Sequence, residues 1–150
     1  MIMMENLKHE GKVIARIIGA EELDGTFKFF TEDSDNLQIS RWNHPRGYEC
    51  KAHVHFEKPK TIYRVHEAIF VLRGEVEVTI YDLKGIPLYT RILRPMDICY
   101  AMDCGHGYKV LTDDTKVVEF KNGPFAGDKN YDSERWLIDD PNNFYFNEQV

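Results

Sequence analysis

The sequence predicts an all-β domain, and three observations carry that prediction. From Leu37 to Lys121 the chain breaks into short runs rich in Val, Ile, Tyr, Phe and Thr. Turn residues punctuate the runs at close spacing, and no stretch between them has the 3.6-residue periodicity of a helix. In order, the strand-like runs are "LQISRW", "YECKAHVHF" after the turn "NHPRG", "TIYRVHEAIFVLRG", "EVEVTIYD", "PLYTRIL" after the turn "LKG", "DICYA", "GYKVL" and, after "DD", "TKVVEF". About eight strands so spaced argue for a sandwich or barrel. Residues 1–36 read as an irregular extension of the same domain, with a short helix near "GAEEL" and a polar turn at "TEDSDN". Residues 37–121 are expected to form that sandwich or barrel. Residues 122–150 read as a tail packed on the barrel or on a partner subunit: "NGPFAGD" is a loop, "YDSERWLI" a helical turn or two, and "DDPNNFYFNEQV" carries aromatics that need cover.

Bulk properties narrow the function classes. A length of 150 residues with 43% hydrophobic content suits one domain with a real core. The formal charge of −6 and the absence of a Lys/Arg cluster argue against nucleic acid and anionic membrane as partners. "MIMM" meets Glu5 at once, so it lacks the apolar core of a signal peptide, and no run reaches membrane-spanning length. Cys50, Cys99 and Cys104 are odd in number and have no CxxC spacing, which fits packing residues in a reducing cytoplasm.

Chemistry concentrates on a few side chains. In a strand, His53 and His55 share one face while Ala52, Val54 and Phe56 take the other. Two imidazoles aimed into one space are costly unless something partners both, and a divalent cation does. Glu67 falls in phase with Val65, Ile69 and Val71, an apolar face where a carboxylate is out of place for stability, whereas His66 alternates to the far side with Ala68 and Phe70. His106 stands between two glycines in "CGHGY". Three histidines and a glutamate make a mixed N/O donor set with positions left for water or substrate, as Fe(II), Mn, Ni, Co or Zn would accept. Tyr63 is in phase with Glu67, and Tyr108 with His106, so either phenol is a candidate proton donor. Glu119 and Lys121 alternate against Val118 and Phe120 as a candidate inward dyad. Asp97 reads as a turn cap, and His9 and His44 as loop residues without a role.

These residues resemble the motifs of the cupins. In that family's first motif five residues separate a glycine from His-x-His, and six separate a glutamate from a second glycine; Gly47, His53, His55, Glu67 and Gly74 fall so here. The departure is the middle, where the eleven residues "FEKPKTIYRVH" stand in place of three or four. In the second motif only His106 matches well: Pro95, Met96 and Asp97 form the first turn without its glycine, Ala101 and Asp103 replace Pro and Gly, and Val110 replaces asparagine. A group of small bacterial cupins is similar in its "GHG" segment and "VVEFKNGPFAG"-like ending.

The resemblance implies a cupin-type jelly-roll β-barrel with a metal in its mouth, held by His53, His55, Glu67 and His106. It further implies a small-molecule enzyme on a polar, for instance sugar-derived, substrate, with Tyr63, Tyr108 and Glu119 as candidate acid–base residues. Isomerisation, epimerisation and dioxygenation are all open to such a centre. Two alternatives stand beside it: a metal-free isomerase or epimerase, and a non-catalytic binding module. Pairing of barrels through an exchanged strand or tail predicts a homodimer.

Overall fold

The structure, a computed structural model, describes residues 3–125 together with Arg135, Leu137 and Ile138. Its strands are β1 (Glu5–His9), β2 (Lys12–Ile18), β3 (Lys28–Phe29), β4 (Ser40–Arg41), β5 (Glu67–Arg73), β6 (Val76–Tyr81), β7 (Pro87–Leu93), β8 (Ile98–Ala101), β9 (Gly105–Val110) and β10 (Lys116–Lys121). They form a five-stranded sheet in the order β1-β2-β8-β5-β10, a three-stranded sheet in the order β7-β6-β9, and the small pair β3-β4. All pairings are antiparallel, and no sheet closes on itself. The described residues are therefore all-β, with one turn of 3-10 helix among them at Ala20–Leu23, inside the "GAEEL" segment.

Strand alternation builds the core between the two larger sheets. Ile17, Ile69, Val71 and Cys99 project from one and Val76, Val78, Ile80 and Leu93 from the other, all buried together. A second, smaller apolar layer lies on the opposite face of the five-stranded sheet, where Leu37 and Ile39 pack against Ala68, Tyr100 and Met102. The chain crosses from β5 to β6 through Gly74, at φ 79°. A Cβ there would meet Thr112 Oγ1 at 2.7 Å and the Thr115 side chain closer still, so the crossing needs glycine on both counts.

Two expectations require correction. Within residues 1–36, residues 5–18 are not irregular: β1 and β2 form a hairpin whose two-residue turn, Glu10 and Gly11, has φ 49° and 79°, and Leu7, Ile14, Ala15, Ile17 and Ile18 are buried. The run "KVIARII" is buried nearly throughout instead of alternating, which removes the period-2 signal, and Glu-Gly is a weaker hairpin mark than Asn-Gly. The second correction concerns "YECKAHVHF". Residues 42–66 contain no strand, and "LQISRW" contributes only Ser40–Arg41. The composition suits a strand, but among the described residues no strand pairs with this segment, and a lone strand has no stability in water. The tail features "YDSERWLI" and "DDPNNFYFNEQV" lie almost wholly outside the described residues. Among those residues no helix is long and apolar enough to cross a membrane.

Candidate functional site in the sandwich interior

The register of β5 sends Glu67, Ile69 and Val71 into the space between the sheets. β10 runs antiparallel beside it and sets Lys121 opposite Glu67. From the facing sheet, β9 pairs His106 with Ile80 and Tyr108 with Val78, so both side chains share the inward phase of those core residues. One carboxylate, one imidazole, one phenol and one ammonium thus converge from three strands of two sheets.

Their geometry is close. His106 Nε2 stands 3.2 Å from Glu67 Oε1, and Lys121 Nζ stands 3.2 Å from Glu67 Oε2 and 2.8 Å from Glu119 Oε1. Glu67 is only 5% exposed. Burial pushes its carboxyl up, but the hydrogen bond and charge of His106 and the charge of Lys121 outweigh that and bring its pKa down to about 2. Glu67 is therefore an anion at neutral pH. Tyr108 is the opposite case: burial, followed by the neighbouring Cys99 and Glu67, pushes its phenol far above the usual range, so it holds its proton. His106 Nδ1 is buried without a hydrogen-bond partner among the described residues, and the buried Tyr108 hydroxyl faces the Glu67 carboxylate. The two rings are 5.4 Å apart. An unpartnered buried polar atom is costly, and His106 Nδ1 marks a place where a ligand would supply the missing bond.

No family model, curated protein or solved structure matches the chain.

The other sequence-predicted residues lie elsewhere. His53 and His55 are exposed on the 42–66 segment, their rings 4.9 Å apart edge to face, with His53 Nδ1 2.8 Å from the Lys51 carbonyl oxygen. Tyr63 is 93% exposed, so it is not brought to Glu67, because the phase that linked them needs a continuous strand and β5 begins only at Glu67. Glu119 is half-exposed at the rim, tied to Lys121. Among the described residues, no three His, Cys, Asp or Glu side chains are gathered so as to hold a metal ion. His66 takes the outer face, where Nδ1 lies 2.7 Å from the buried Tyr100 hydroxyl. Asp97 does cap its turn: Oδ2 accepts from the Arg94 amide at 2.8 Å and Oδ1 from the Ala20 amide at 3.0 Å.

Sequence reasoning missed the role of Lys121 toward Glu67, having paired it with Glu119 alone. The signal was available, since opposite charges directly across an antiparallel ladder attract one another. Using it requires knowing that β10 neighbours β5, which chain order does not reveal.

Proposed function

We propose that the chain is a cupin-type jelly-roll protein acting on a polar small molecule, such as a sugar derivative, through a divalent metal centre built on Glu67 and His106. The observation that carries this reading is the 3.2 Å between His106 Nε2 and Glu67 Oε1 between the two sheets. Neighbouring ligands that grip one cation at about 2.1 Å stand roughly 3.0–3.4 Å from each other. Glu67 is already ionised, as a ligand must be. Glu67 and His106 fit a metal; His53 and His55 would complete the donor set, and for that the 42–66 segment has to leave its exposed position. Imidazole and carboxylate donors suit Fe, Mn, Ni, Co or Zn. When bound, such an ion supplies Lewis-acid polarisation of a substrate oxygen.

The chain's own side chains support chemistry on a polar ligand. Tyr108 keeps its proton at neutral pH and lies beside His106 and Glu67, so it is placed to donate to a ligand oxygen. Lys121 and Glu119 offer a cation and an anion at the rim for hydroxyl-rich ligands. The free thiols include Cys99, pushed up by burial, and Cys104, pushed up to about 11 first of all by burial; they fit a reducing cytoplasm.

Lys121 favours a second reading. Its ammonium already neutralises Glu67 at 3.2 Å, the place a metal charge would take. In that reading His106 is the base and Tyr108 the acid of a metal-free isomerase or epimerase. Elemental analysis of untagged wild type, His53→Ala and Glu67→Gln separates the two. The metal reading expects near one equivalent in wild type and loss in both variants. A wild type without metal moves the assignment to the acid–base reading.

A further inference from the structure

The two sides of the sandwich differ. On one, the outermost strands β1 and β7 are tied across the gap: Arg91 grips Glu5 through bonds of 2.9 and 2.6 Å, and the Tyr89 hydroxyl donates to the Lys8 carbonyl at 2.6 Å. On the other, β9 and β10 end their sheets among the described residues and do not pair with each other. Strand register sorts the inward side chains of that side into three rows. The first holds Lys121 opposite Glu67 and His106 opposite Ile80, the second Glu119 opposite Ile69 and Tyr108 opposite Val78, and the third Val117 opposite Val71 and Val110 opposite Val76. Polarity therefore falls along this side, over about 14 Å from the first row to the last.

The third row is open to water. Val71 and Val76 are buried, yet their inward-phase neighbours Val110 and Val117 are 63% and 38% exposed. Behind that row the turn 111–115 is pinned on the β5–β6 crossing, Leu111 donating to the Glu75 carbonyl and the Glu75 amide to Thr112 Oγ1, each at 2.9 Å. The described part of the tail lies toward the first row: a Cβ on Gly105 would stand 2.9 Å from Ile138 Cδ1, and Gly105 is about 17 Å along β9 from Val110.

We infer that the ligand of the interior site is amphiphilic, with an oxygen-bearing head at His106 and an unbranched apolar tail laid past Tyr108 toward Val110 and Val117. This rests on reading the interior as a small-molecule site and narrows it to a ligand polar at one end only. A hydroxyl answers the unpartnered His106 Nδ1 in either tautomer, donating to the bare nitrogen or accepting from its N–H. A ligand polar throughout would set hydroxyls against four valines that return no hydrogen bond. An aliphatic tail instead takes the two exposed valines out of water.

The test titrates the full chain in EDTA with straight-chain 1,2-diols, from ethanediol to octane-1,2-diol, read by amide and methyl NMR shifts. Binding should tighten about three- to fourfold with each added carbon that is buried. His106 and Tyr108 should shift with every diol, and the Val110 and Val117 methyls only with the longer ones. Val110→Asp, a change at the more exposed position, should flatten the series. Affinity independent of chain length, glycerol binding more tightly than octane-1,2-diol, or a series equally graded in Val110→Asp overturns the inference. So do contacts of residues 126–150 with the Val110 and Val117 methyls that persist at saturating diol. A flat series in protein that takes up metal sinks the tail alone, and a graded series in protein that takes up none sinks the metal centre alone.

Discussion

Glu67 with His106 and His53 with His55 are pairs of similar donor chemistry in opposite settings. The first pair faces inward from two well-paired strands, is fixed at 3.2 Å and has its charge state set by its surroundings. The second sits on a segment with no ladder, exposed, its orientation held by little more than a bond to the Lys51 carbonyl. The difference teaches that alternation assigns a side chain to a face only where a neighbouring strand fixes the backbone. For β5 that neighbour exists on both sides, in β8 and β10. For residues 48–56 it does not.

The largest test of this contrast is Glu67→Gln against His53→Ala. Removing the buried anion takes away the carboxylate that His106 Nε2 and Lys121 Nζ share and leaves Lys121 its bond to Glu119, and should cost about 3 kcal/mol in urea denaturation. His53→Ala should stay within about 0.5 kcal/mol, as for an exposed residue. A comparable loss in both would mean that the 42–66 segment is structural. Next comes pH. The folded pKa of Glu67 is depressed to about 2 from an ordinary 4.5, so its contribution is present above about pH 4.5 and is lost as pH falls toward 2. That loss is on the order of 3 kcal/mol, and it should vanish from the acid limb of the stability curve in Glu67→Gln. The smallest effect separates the two faces of β5. Tyr100→Phe removes the outer-face partner of His66 and should cost about 1–2 kcal/mol while leaving metal content unchanged.

Much of this was legible in the sequence, for identifiable reasons. The inward phase of Glu67 follows from Ile69 and Val71, and the outward phase of His66 from Ala68 and Phe70, because that run alternates inside a real strand. The strands from Val76 to Lys121 were readable since turn residues bound each of them. The β1-β2 hairpin was not, because β2 is buried nearly throughout and its turn is Glu-Gly. Nor was the state of residues 42–66, since their composition is that of a strand while among the described residues no strand pairs with them. The pairing of Lys121 with Glu67 depends on β10 lying beside β5, a long-range fact that no local pattern encodes.

Manganese titration of the untagged protein, followed by NMR line broadening, bears most directly on the interior pair as a cation site. The account predicts that His106, Tyr108 and Ile69 signals broaden at sub-stoichiometric Mn²⁺ and stay sharp in Glu67→Gln. Broadening limited to exposed carboxylates and residues 42–66, with His106 and Tyr108 untouched, would contradict it.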